Sequence, residues 1–155
     1  MKKKLIVAGV TLLAAAAIFF AVFSAATSRS KISDFADIPS EIESVSVSAG
    51  GVSKEVTDKT QIDALAELIQ AVRIGPHANL GYYYETPATI VPDCEIFLLS
   101  SEQTPVSIAL LKADRAKNSG SIRLTDRYGR LMEVYGTADE SYFALLDRVC
   151  ELAMN

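Results

Sequence analysis

Cys94 and Cys150, 56 positions apart, are the only two cysteines of the chain. In an oxidising compartment two thiols can join. Closing so long a loop would stabilise the fold by about 4 kcal/mol in the chain-entropy account. Cys94 falls on the same side of a strand pattern as Ile96 and Leu98, and Cys150 on the same helical stripe as Phe143 and Leu146. If that helix covers the sheet, both sulfurs point into one layer. The other reading is two separate buried thiols acting as small apolar fillers. A nucleophilic cysteine has no support, because nothing near either one would lower its pKa. His77 is the only histidine and has no ligand spacing around it, so no metal or cofactor is expected. There is no Gly-x-Ser-x-Gly turn and no phosphate-cradling glycine loop. The pair Asp139-Glu140 opens a helix, where the macrodipole alone explains it. No catalytic residue is therefore expected.

Two surfaces stand out. Tyr82, Tyr83 and Tyr84 run consecutively after Gly81. Exposed tyrosines anchor protein partners or stack on sugars, although tyrosine is as commonly part-buried under a loop or at a sheet edge. The second is basic. Lys112, Arg115, Lys117, Arg123, Arg127 and Arg130 face only Asp114 and Asp126 in the same stretch, a local charge of +4. Such a surface could settle on anionic headgroups or wall polymers, or steer an acidic partner. The alternative is a solvated hairpin whose bases pair with nearby acids.

Several elements must position these residues. Val45, Val47 and Ala49 alternate with Ser44, Ser46 and Ser48, the period of a half-buried strand. Gly50-Gly51 turns it, and Val52 to Val56 makes a short return. Asp58 with Gln61 forms a capping-box pattern, and Ile62, Leu65, Ile69 and Val72 continue as an apolar helical stripe with Leu68 beside it. Gly75-Pro76 stops that helix. Residues 76–92 read as a Pro-, Gly- and Tyr-rich connection. Four strand-like runs follow, at Glu95–Ser100, Val106–Lys112, Ser121–Thr125 and Leu131–Tyr135, with links too short for parallel crossovers. Thr137 and Glu140 make a second capping box before a helical stripe of Phe143, Leu146 and Cys150, with Val149 beside it.

The expected fold is α+β: a single antiparallel sheet of about five strands with two helices on one face, in the order β-α-β-β-β-β-α. This order resembles one repeat of the TATA-box-binding-protein fold. The part beyond the leader also resembles the small exported domains of Gram-positive bacteria that share it, with a Lys-rich leader and Val56-Thr57-Asp58-Lys59 opening the first helix. The resemblance covers about residues 41–153. It implies a fold and a compartment, and brings no activity or site residues.

Lys2, Lys3 and Lys4 precede an apolar run from Leu5 to Ala26 with no charged residue. This pattern leaves the N-terminus in the cytoplasm and the remainder outside. Leu5 to Phe23, 19 residues, is at the lower end of spanning length, while Ser24-Ala25-Ala26 offers a cleavage site. A retained membrane anchor over residues 5–23 and a signal peptide cleaved near Ala26 both stand. Residues 1–26 are then the signal or anchor, 27–40 a tether and 41–155 the extracytoplasmic domain. Without the three leader lysines, 12 basic and 19 acidic residues leave a net charge of −7. So acidic a domain is not a general nucleic-acid binder. The expectation is a binding module without catalytic activity, its partner an extracytoplasmic protein that it regulates or inhibits, or an anionic envelope polymer. The alternatives are an envelope-associated structural protein held by a basic hairpin on anionic polymers or lipid and, with less support, an enzyme with an unrecognised site.

Overall fold

The computed structural model describes residues 16–19, 29–83, 91–101, 105–125 and 129–155, with the backbone alone for 76–83. Eight strands make one antiparallel sheet: β1 (Ser30–Lys31), β2 (Ser44–Ala49), β3 (Val52–Val56), β4 (Arg73–Tyr83), β5 (Cys94–Leu99), β6 (Val106–Asp114), β7 (Ser119–Thr125) and β8 (Leu131–Ala138). Their spatial order is β1-β4-β8-β7-β6-β5-β2-β3. Helices α1 (Lys59–Ala71) and α2 (Glu140–Met154) pack on it, and residues 16–19 form a third helical piece. The class is α+β, but the sheet of about five strands and the order β-α-β-β-β-β-α are corrected: β1, β3 and β4 join it, with two of its strands before β3 and α1.

β4 is the largest departure. Gly75, Pro76 and Gly81 punctuate it like a loop, yet it pairs with β8 from Ile74↔Ala138 to Tyr83↔Leu131. The register slips between Gly75 and Asn79, a bulge that accommodates the proline. The glycines serve a close approach: a Cβ on Gly136 of β8 would lie 3.1 Å from the Gly75 backbone. β1 is two residues long and carries no period, so pattern could not announce it; it pairs with Arg73 and Ile74. Ile32 and Ala36, in the stretch read as a tether, are buried in the core.

The remaining elements follow from local chemistry. β2 and β3 are joined by Gly50 and Gly51, both at positive φ (58° and 82°), the conformation that a two-residue hairpin turn between right-twisted strands demands. Asp58 caps α1, its carboxylate accepting from the Gln61 N–H at 2.9 Å. Asp139, rather than Thr137, caps α2, accepting from the Ser141 N–H. The carboxylate also takes an ion pair from Arg29 at 2.8 Å. The buried stripe of α2 runs through Tyr142, Phe143, Leu145, Val149 and Leu152. Leu146 and Cys150 flank that stripe and are only partly buried.

Both helices contribute to one hydrophobic cluster with a single set of strand residues: Val45, Val47, Ile96, Leu98, Ile108, Leu110, Ile122, Leu124, Met132 and Val134. Cross-strand register confirms that these share a side, with Val45↔Leu98, Ile96↔Ile108, Leu110↔Ile122 and Ile122↔Val134. The opposite side of the sheet carries neither helix among the described residues. Tyr142, fully buried, seals the helix side. Its hydroxyl lies 3.1 Å from the Leu111 carbonyl and 3.2 Å from that of Ser121.

Candidate functional site

The helix-free side divides into two zones. In the centre, where β6, β7 and β8 meet, a carboxylate is wholly withdrawn from solvent. Glu133 is 0% exposed. An isolated charge there would be prohibitive, and four groups answer it. The Ser121 hydroxyl donates to Oε1 at 2.9 Å and Arg123 Nη2 to Oε2 at 3.1 Å. Lys112 Nζ stands 3.5 Å from Oε1, and the Tyr135 side chain adds a further hydrogen bond. The Lys112 ammonium also sits 4.7 Å from the centroid of the Tyr135 ring, a cation–π contact.

Strand geometry explains why these groups meet. Ser121 faces Tyr135 and Arg123 faces Glu133 across the β7–β8 ladder, so all four alternate onto one side. Lys112 comes from β6, where a bulge between Leu111 and Asp114 inserts one residue. Lys112 takes the left-handed φ of 54° there, a conformation that non-glycine residues adopt only when their surroundings hold them in it. Arg123 is 8% exposed, and its Nε–H is buried with no partner.

Burial pushes the Glu133 carboxyl toward protonation. The bonds from Ser121, Tyr135 and Arg123, together with the charge of Lys112, outweigh it and hold the pKa below the ordinary glutamate value of 4.5. A lowered folded-state pKa means the stabilisation is complete above about 4.5 and drains away as pH falls through the folded value. The difference in unfolding free energy between the native protein and a Glu133→Gln variant should therefore shrink as pH falls from about 5 through the folded-state value. A difference independent of pH across that range, measured by urea titration, would show that the carboxylate is not held ionised.

Away from this centre the surface opens. Ser44, Ser46 and Ser48 of β2, Glu95, Phe97 and Leu99 of β5, and Ser107 of β6 share the helix-free side, with Ser46↔Phe97, Ser44↔Leu99 and Phe97↔Ser107 directly opposite. Phe97 is 38% and Leu99 37% exposed. Serines are too short to shield them, so two apolar side chains stand on a flat hydroxyl-lined strip in the sheet interior. Ser107 also donates to Glu95 at 3.3 Å.

The basic residues singled out from the sequence do not form one surface. Lys112 and Arg123 belong to the Glu133 network. Arg115 and Lys117 occupy a 3₁₀ turn (Arg115–Lys117) after β6. Arg115 reaches α2, pairing with Asp147 and lying 4.8 Å from the centroid of the Phe143 ring. Lys117 pairs with Asp114 at 3.0 Å, and bonds from Lys117 hold the Asp114 carboxyl below its ordinary value. Arg130 is exposed just before β8, and Arg127 lies outside the described residues. Tyr82 and Tyr83 fall in β4, opposite Met132 and Leu131 in register. His77 is in the same strand rather than a loop. The side chains of these three, and Tyr84 altogether, lie outside the described residues.

Cys94 is buried and Cys150 partly buried, both as free thiols. Burial first, then the neighbouring Cys150, pushes the Cys94 thiol up to about 12. Both thiols are therefore held protonated at neutral pH, the opposite of the lowered pKa that an activated cysteine nucleophile needs.

Comparison with family models, with curated proteins and with solved structures finds no match to this chain. Glu133, Ser121, Tyr135, Phe97 and Leu99 were not marked by sequence. The available signals were the Ser-x-Ser-x-Ser and Glu-x-Phe-x-Leu alternations, which specify what the uncovered side carries once the helices are known to lie on the other.

Proposed function

We propose that this protein is a non-catalytic interaction module that works outside the cytoplasm, tethered to the membrane or secreted, and engages a protein partner through the helix-free strip around Phe97 and Leu99. The observation that carries this reading is the exposure of those two side chains in the interior of a sheet whose other side is fully occupied by a core. Isolated exposed apolar residues are ordinary; here they share one strand and one side, bordered by serines that leave them accessible. Packing such a strip against a partner would remove them from water, with the hydroxyls as a satisfiable rim. The regulated or inhibited protein would belong to the envelope.

The compartment rests on Lys2, Lys3 and Lys4 before the apolar run. The alternative, a basic hairpin held on anionic polymers or lipid, draws less support from the geometry, because Lys112, Arg115, Lys117 and Arg123 each already pair with a carboxylate.

A photo-crosslinking amino acid placed at Phe97 in the native cell should give a discrete protein adduct, whereas the same group at Glu67, exposed on α1, should give none. Equal labelling from both positions, or none from Phe97, would overturn the assignment of the strip.

A further inference from the structure

We infer that Cys94 and Cys150 form an intramolecular disulfide that bolts helix α2 to strand β5 once the protein meets an oxidising compartment. The inference stands on packing and is independent of the partner reading above. Cys94 is the first residue of β5, 1% exposed, and its side chain belongs to the core cluster on the helix side. Cys150, in the second half of α2, packs against that same cluster. Helix α2 lies over β5, the adjoining β2 and the edge strand β3. The two sulfurs therefore enter one layer from its two opposing walls.

The influence of Cys150 on Cys94 agrees with the placement. After burial, Cys150 acts on the Cys94 thiol more strongly than Asp93, the residue covalently next to it. Asp93 itself acts on both cysteines. The exposures differ in a useful way. Cys150 is partly open to solvent and Cys94 is not, so the first encounter with an oxidant falls to Cys150.

The chemistry balances with a small-molecule or protein disulfide as oxidant. The Cys150 thiol loses its proton to water, and the thiolate attacks one sulfur of the oxidant, forming a mixed disulfide and releasing one thiolate. Cys94 then loses its proton and attacks the Cys150 Sγ, releasing the second thiolate. The protein dithiol is oxidised by two electrons, the oxidant disulfide is reduced to two thiols, and the two protons pass to them. The crosslink spans the core behind the strand whose other side carries Phe97 and Leu99, so it fixes that strand against the last helix.

The test uses the full-length chain, reduced and then exposed to oxidised glutathione before acid quenching, denaturation and alkylation. The expected result is a fall from two alkylatable thiols to none. Peptide mapping should join the Cys94 and Cys150 segments, and the midpoint of thermal unfolding should rise by roughly 10 °C. Cys94→Ala and Cys150→Ser variants should each retain one thiol and show no such rise. Two thiols remaining, a glutathione adduct that never closes, or only crosslinked dimers would each overturn the inference.

Discussion

Replacing Glu133 with alanine should cost about 3–5 kcal/mol, a large share of the 5–15 kcal/mol that holds a typical domain together. The loss does not come chiefly from the hydrogen bonds themselves. Removing the carboxylate strands the Arg123 guanidinium, 8% exposed, beside a fixed ammonium on Lys112, with no anion between them. Ser121 and Tyr135 lose their acceptor at the same time. The contrast with a double replacement separates the two contributions. Glu133→Leu combined with Arg123→Met removes both buried charges, and should be much less harmful than the sum of its single changes. Urea unfolding of the three variants gives the comparison. A Glu133→Ala loss below about 1 kcal/mol would mean that water or rearrangement satisfies the remaining cations, and the network would be no more than a surface ion pair.

The second large effect is expected on the helix side, at Gly120. A Cβ there would lie 2.6 Å from Cζ of Tyr142 and 2.7 Å from its hydroxyl oxygen, closer than real atoms approach. Tyr142 cannot swing away. It is fully buried, holds the Leu111 and Ser121 carbonyls, and meets Phe143 edge-on at 5.3 Å between ring centroids. Gly120→Ala should therefore destabilise by about 3 kcal/mol, the upper part of the range for overpacked cores. Trimming the ring in the same chain, with Tyr142→Leu, should recover part of that loss, since the two residues contend for one volume. Fully additive effects in thermal or urea unfolding would show that the ring is not what Gly120 accommodates. The smaller change Tyr142→Phe should cost about 1 kcal/mol, the net worth of its hydrogen bonding.

These two sites show what sequence could and could not convey. Strands with strict alternation, such as Ser44–Ala49, and the capped stripe from Asp58 were legible because period and cap chemistry are local properties. β4 was hidden because Gly75, Pro76 and Gly81 carry loop signals, whereas the strand takes Pro76 into a bulge and Gly75 lies close against Gly136 of β8. The stripe of α2 was read through Leu146 and Cys150, whereas its buried centre includes Tyr142 and Leu145. Burying a tyrosine there depends on two backbone carbonyls from other strands that accept from its hydroxyl, which no local pattern announces. Glu133 was invisible for a different reason. A charged residue alternating within Leu131-Met132-Glu133-Val134-Tyr135 reads as solvent-facing, and its partners lie 10 and 12 positions earlier on the adjoining strand. Lys112 arrives only through an extra residue whose presence no periodicity announces. Likewise, a tally of basic residues between Lys112 and Arg130 suggested one patch, but the turn after β6 sends Arg115 toward α2 and leaves Arg123 on the opposite side of the sheet.

Strands β5 to β8 are neighbours in space in the order in which they are synthesised, whereas β4 docks on β8 and β2 on β5 only after long stretches of chain have been gathered in. Entropy must be overcome before such distant partners gain anything from meeting. During refolding the four-stranded meander should accordingly assemble first and the outer strands zip onto its two rims later. Amide protection in β7 should precede that in β2 and β4, and the outer joins set the overall pace.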